Sequence, residues 1–305
     1  MTETEKHILK EVAALDALPV GAYNIRSNGK SAARNTTANI DIVTKEEVSG
    51  IDIIIKPGTK NQSVHIPVII SESGLKEVVY NDFFIGDDCD VTIIAGCGIS
   101  NCGGQDSRHD GVHSFHVGKN SRVRYVEKHY GEGTGTGKRL MNPTTVVDLD
   151  KGAYMIMETA QIAGVDDTLR ETNATLADDA TLEIHDKILT DGDQHATARM
   201  IVDMNGKDSS CDLISRGVAK GDSYQEVMLA INGKNACHGH AECDSIIMDN
   251  GVILATPALK AECVDASLIH EAAIGKIAGE QLYKLMTLGL DEKQAEEMIV
   301  RGFLR

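Results

Sequence analysis

Cys243, followed 27 positions later by the adjacent pair His270 and Glu271, is the constellation in this chain with the widest chemical range. A thiolate holds iron or sulfane sulfur, an imidazole binds iron, and a carboxylate is a labile oxygen ligand, so the three types together suit a transient metal site. Each also has a plainer reading. Cysteine is often buried as a small apolar side chain. A histidine at a strand-to-helix junction is satisfied by hydrogen bonds, and Glu271 would favour the positive end of a helix that follows it. The residues alone leave both readings open.

Two further clusters carry metal-ligand side chains. Cys237-His238-Gly239-His240-Ala241-Glu242-Cys243 packs two thiols and two imidazoles into seven residues. If this segment is a strand its side chains alternate, with Cys237 and Cys243 on one face and His238 and His240 on the other. A single four-ligand site then needs a bend, with Gly239 the candidate. Cys97 and Cys102, followed by His109, His113 and His116, match neither a zinc-ribbon nor a ferredoxin spacing, which favours a structural role. The glycine run from Gly131 to Lys138 resembles a phosphate loop until its positions are checked. Glu132 stands where the first glycine is required and Arg139 where Ser or Thr must hold magnesium. It reads as a flexible loop, and any ATP hydrolysis must come from another chain.

The elements that position these residues are mostly strands. At 305 residues the chain can bury a substantial core. Its 46 acidic against 30 basic residues give a formal charge of −16, which argues against nucleic acid or an anionic membrane as partner. No run approaches the roughly 20 apolar residues of a membrane span, and Met1 to Lys10 is charged rather than a signal peptide, so a cytoplasmic protein is expected. Seven cysteines, an odd number, suggest reduced thiols or metal ligands.

Glu3 to Leu18 has a helical pattern with Ile8, Leu9, Val12 and Leu15 on one side, ended by Pro19 and Gly21. Arg26 to Asn39 is polar and reads as loop. From Ile40 to about Val264 the signal is β, in short runs such as Ile51 to Ile55, His65 to Ile70, Val91 to Ala95, Arg122 to Glu127, Tyr154 to Thr159, Thr181 to Ile184 and Cys211 to Ser215. Many follow the same kind of turn: Asp87-Asp88, Lys119-Asn120, Asp150-Lys151-Gly152, Asp178-Asp179, Gly206-Lys207-Asp208 and Asp249-Asn250. The returns are separated by roughly 28 to 32 residues, with a noisier one at the end. One turn chemistry ahead of one strand pattern is what a β-solenoid produces, although a sandwich or barrel also uses many short strands.

After His270 the spacing of Ile274, Ile277, Leu282, Leu285 and Met286 predicts a helix stopped at Gly289. Asp291 and Gln294 then form the capping box of a second helix whose buried side is Ala295, Met298 and Ile299. Two such short helices cannot bury both faces alone and must dock on the strands, on a partner, or on both.

The separated motifs ECDSIIM, A-x-P-A-L, SLIHEAAIGKI, EQLYKLMTLGL and EEMIVRGF, in this order, resemble the C-terminal region of the SufB/SufD family of iron–sulfur cluster assembly proteins. A weaker likeness to short SufB-like chains reaches back to about Asn81 through FFIGDDCDVTIIAGCGI and SRHDGVHSFHVG. The resemblance implies a right-handed parallel β-helix, which the strand runs place over 40–269, and the residue pattern adds an N-terminal helix and loop over 1–39 and a helical tail over 270–305. It also implies a scaffold rather than an enzyme. A SufC-like ABC-type ATPase would dock on the tail, and a homodimer would form through the core.

Under the same likeness Cys243 aligns with the cysteine implicated in assembling or receiving the nascent cluster, and His270 and Glu271 with a His-Glu pair. These would hold a transient iron–sulfur cluster, with Cys237, His238 and His240 as lesser candidates. Ile269 stands where many SufB sequences are acidic, so the ligand set does not transfer whole. The alternatives are a SufD-like partner without cluster chemistry and, further off, a β-helix carbohydrate-active enzyme. The residues name neither the cluster type, the sulfur donor nor a flavin.

Overall fold

Each aliphatic run picked out above lies within a strand, and the strands wind into a parallel β-solenoid of about eight turns. The computed structural model describes residues 2–305. Helix α1 (Glu3–Ala13) is followed by a hairpin of strands Ala22–Ser27 and Lys30–Asn35, then by strands Ile40–Thr44 and Gly50–Ile55 of the second sheet, after which the chain passes back and forth between the two sheets as far as Ala266–Gly275. Helices α2 (Gly279–Thr287) and α3 (Glu292–Phe303) close the chain.

The turns explain the repeat. Asp88, Asn120, Asp179 and Asp208 all adopt φ between +54° and +57°, and Gly152 takes +67° at the equivalent place. Asn and Asp tolerate the left-handed region because their short side chains bond locally. These turns stack: the Asp88 N–H donates to the Lys119 carbonyl, that of Asn120 to Lys151, that of Gly152 to Asp178 and that of Asp179 to Lys207. Asp249 lies at the opposite corner, where the Asn250 N–H donates to Gly221, so its return in the sequence is out of step.

In-register parallel pairing turns each inward position into a column. In the second sheet one column runs Phe83, Phe115, Val147, Ala174, Val202, Ile231. All are buried, and the Phe83 and Phe115 rings stack 4.3 Å apart. Full burial of side chains of this size contributes about 1.5–3 kcal/mol each, enough to hold thin coils together without tryptophan. In the first sheet a parallel column runs Ala95, Glu127, Thr159, Asp186, Ser215, Cys243, Ala272.

Several local expectations change. The polar stretch after Arg26 includes the rest of the antiparallel hairpin, which caps the first sheet; its second strand is polar because it is an exposed edge. Helix α1 stops at Ala14 in the left-handed region, short of Leu18, and begins with a capping box between Thr2 and Glu5. Its Ile8 and Val12 rest on Gly98 and Gly96, where a Cβ would approach Ile8 to 2.1 Å and the Val12 carbonyl to 2.9 Å. Bare backbone here lets the helix lie flat on the sheet. The glycine run from Gly131 is tied down rather than free: Gly135 and Gly137 donate to the carbonyls of Asn101 and Gly103 in the coil below. At the C-terminal end the last strand continues through His270, Glu271 and Ile274, and the helix begins only at Gly279. The Asp291–Gln294 capping box forms as expected, while Ala295 and Val300, rather than Met298, face inward.

Candidate functional site

Strand Cys237–Ile247 alternates as a strand must, with Cys237, Gly239, Ala241 and Cys243 inward and His238, His240 and Glu242 outward. Cys237 and Cys243 are six residues apart, about 20 Å along a strand, and do not share an atom. His240 gives its Nδ1 to Asp212 at 2.8 Å, and His238 is exposed. The seven-residue cluster is therefore divided between faces and along the strand.

Cys243 is 2% exposed, lies between Ser215 and Ala272 on the neighbouring strands, and is a free thiol. Burial pushes this thiol up, Asp244 and Asp186 add to the rise, and the nearby Ser245 hydroxyl opposes it. At neutral pH it carries its proton, and an arriving metal must displace it.

His270 stands opposite Ala241 on the last strand, which places its ring on the same inward face as Cys243, one strand across and two positions along. Such diagonal neighbours lie roughly 7–8 Å apart at the backbone, within reach of side chains that meet at a shared atom. Both His270 ring nitrogens are shielded from solvent and neither has a hydrogen-bond partner. Leaving such groups unpaired costs about 1–3 kcal/mol. Glu271, one residue on, pairs with Glu242 and faces outward. One chain thus places Cys243 and His270 on the same inward face of adjacent strands and sends Glu271 to the other side of the sheet. Among the described residues no three His, Cys, Asp or Glu side chains are arranged to hold a metal ion.

The second cluster also divides. Cys97, His109 and His113 face the lumen and are buried, whereas Cys102 is exposed and His116 lies outside, stacked on Phe84 at 5.2 Å. Around the inward members runs a polar network that sequence reasoning missed. Glu77 bonds Arg26 at 2.8 Å and His109 at 3.1 Å; His113 meets the Tyr125 hydroxyl at 2.7 Å. Arg170, itself buried, lies 3.4 Å from Glu127 and 3.7 Å from Asp186. Burial pulls Glu127 upward, but His129, Arg170 and His113 together outweigh it and hold the carboxyl far below the usual range. Burial pushes His113 down to about 4, so it is neutral at physiological pH. The available signal was parity: Val123 and Tyr125 set an inward phase that continues to Glu127 and His129.

The fold is thus a stacked-coil solenoid whose lumen carries an unbridged thiol and an imidazole without a hydrogen-bond partner. The family model described as "SUF system FeS cluster assembly, SufBD core domain" matches residues 78–303, and the chain belongs to that family. Its relatives include iron-sulfur cluster assembly SufBD family proteins of Methanocaldococcus jannaschii, 29% identical over 83% of this chain and 79% of the relative, and of Archaeoglobus fulgidus, 29% identical over 85% and 69%. A third, from Pyrococcus horikoshii, is 28% identical over 92% of this chain and 86% of its own length. No helix among the described residues is long and apolar enough to cross a membrane.

Proposed function

We propose that this chain is a scaffold on which a transient iron–sulfur cluster is built, with Cys243 and His270 as the lumenal ligands and the cluster as cargo passed on. The observation that carries this reading is His270, whose two shielded ring nitrogens have no partner one strand from a buried, unbridged thiol. Glu271, facing out on the same strand, is assigned to metal arriving or leaving rather than to the resident pair. Cys237, His238 and His240 are left outside the site by their faces and spacing.

The partners follow from what is left uncovered. Strand Ala266–Gly275 is the edge of the first sheet and Val252–Ala261 of the second, with Ile269, Ile274 and Leu254 exposed. An open edge of this kind is a template for pairing with another chain, which supports a homodimer through the C-terminal end of the core. Helix α2 buries no residue, and Tyr283 and Leu288 are among its exposed apolar groups or border it. That surface supports docking of a SufC-like ATPase. Only Lys276, Ile277 and Ala278 separate α2 from the strand that carries His270, so movement of the tail would be transmitted directly to the site. ATP-driven closure would act on this strand to the extent that the ATPase binds the two states differently. The cell compartment proposed is the cytoplasm.

Anaerobic reconstitution with ferrous iron and sulfide tests the reading. Cys243→Ala and His270→Ala should each lose most of the acid-labile sulfide and visible absorbance of the wild type while keeping its circular dichroism. Undiminished cluster yield in Cys243→Ala would remove that residue from the account. The second reading, a SufD-like partner without cluster chemistry, is favoured by the outward placement of Glu271, and would leave the wild type itself without cluster.

A further inference from the structure

Four strands away from Cys243 in the first sheet, about 19 Å at the usual strand spacing, the lumen holds a second arrangement that the cluster chemistry leaves unused. A small cavity of about 10 Å³, room for one water-sized centre, is lined in part by Cys97, His109, Gly111, His113, Glu127 and His129. His109 and His113 lie on strand Ser107–Val117 four residues apart, with Gly111 between them on the same inward face. A Cβ on Gly111 would lie 3.4 Å from the Nε2 of each ring, so the two imidazoles lean toward one another over a residue that has no side chain.

The far sides of both rings are fixed. The His109 Nδ1–H donates to the Glu77 carboxylate at 3.1 Å, and Glu77 is clamped by Arg26 at 2.8 Å. The His113 Nδ1 is held by the Tyr125 hydroxyl at 2.7 Å. A carboxylate on the outer nitrogen fixes the His109 tautomer and leaves Nε2 as a bare lone pair, the outer-sphere pattern of metal-bound histidine. That Nε2 has no hydrogen-bond partner in the protein, and the His113 Nε2 has only the Asn81 amide at 3.3 Å.

We propose that His109 and His113 form a second metal site inside the lumen, which takes a single cuprous ion through their Nε2 atoms above Gly111. The ion is chosen by the ligand count. Among the described residues no three His, Cys, Asp or Glu side chains are placed to enclose it, and zinc sites want four ligands. Cuprous copper, content with two ligands, fits two facing imidazoles, which are ordinary copper ligands. Calcium and magnesium, which want six or more oxygens, do not fit.

The test is anaerobic competition for Cu(I) between the full-length chain and a chromophoric chelator. The seven cysteines give a background, so the readout is the difference between variants. The double variant His109→Gln/His113→Gln should withdraw one equivalent less than the wild type, and Cys243→Ala should withdraw that equivalent undiminished. Gly111→Ala keeps both imidazoles and puts a methyl group between them; it too should lose the equivalent, which covers the case in which the double variant does not fold. X-ray absorption of the loaded wild type should show nitrogen neighbours that vanish in Gly111→Ala. Equal copper uptake by wild type and Gly111→Ala, or a stoichiometric zinc or ferrous ion held by the same two rings in place of copper, overturns the proposal. Neither result bears on whether a cluster assembles at Cys243.

Discussion

Two columns of the lumen are equally buried and chemically opposite. The column Phe83, Phe115, Val147, Ala174, Val202, Ile231 is dry and satisfied, while the column Glu127, Thr159, Asp186, Ser215, Cys243 is polar. Shielded atoms without partners occur at Asp186 in that polar column and, elsewhere in the lumen, at Gln161, Gln225, Ser245 and His270. Because parallel coils pair in register, each column repeats its own chemistry from coil to coil. The fold draws its stability from dry packing of the first kind. Unsatisfied groups are tolerated only because that packing is there, and they mark where ligands are to be sought.

The largest effects should separate dry from polar positions by mechanism. Phe115→Ala should cost about 3–5 kcal/mol in denaturant unfolding, through the cavity it leaves, with the same loss at pH 7 and pH 4.5. Arg170→Leu should cost about as much at pH 7, because Glu127 and Asp186 lose their buried cation. Its loss should shrink toward acid as Glu127, deprived of the cation that helps hold it low, takes up a proton. If both variants show the same pH response, the distinction between dry and polar positions fails.

A smaller effect concerns His113. Its folded pKa, about 4, lies below the ordinary 6.5, so the unfolded chain takes up a proton that the folded chain refuses between those values. Stability contributed by neutral His113 is fully present above pH 6.5 and is lost as pH falls toward 4, by about 1.4 kcal/mol per pH unit at most. His113→Gln should flatten that part of the stability profile. The smallest effect is expected outside the lumen: His116→Ala, on the outer face, should change stability by no more than about 0.5 kcal/mol. A larger loss there would mean that the outer row carries part of the fold.

The dry part of the lumen was the legible one. Val, Ile and Leu at alternate positions mark strands such as Thr181–Thr190, and the Asp and Asn turns at their ends mark the coils. The polar part hid because inward Glu127, His129 and Arg170 break the hydrophobic alternation that signals an inward face, although the parity of their neighbours continues through them. The site was half legible for a related reason. Cys243 and its alternation with His238 and His240 could be placed from strand geometry. The face of Glu271 could not, since Ile274 and Ile277 mimic the start of a helix and make the last strand seem to end five residues early. Gly275, where it does end, carries no such signal.

The central claim is that one iron in the lumen is shared by the Cys243 thiolate and the His270 imidazole. Pulsed electron paramagnetic resonance of the reduced, reconstituted cluster in protein labelled with ¹⁵N-histidine tests it most directly. The account predicts a strongly coupled histidine nitrogen that disappears in His270→Ala. A full cluster signal with no histidine coupling, or a coupling that survives in His270→Ala, contradicts it.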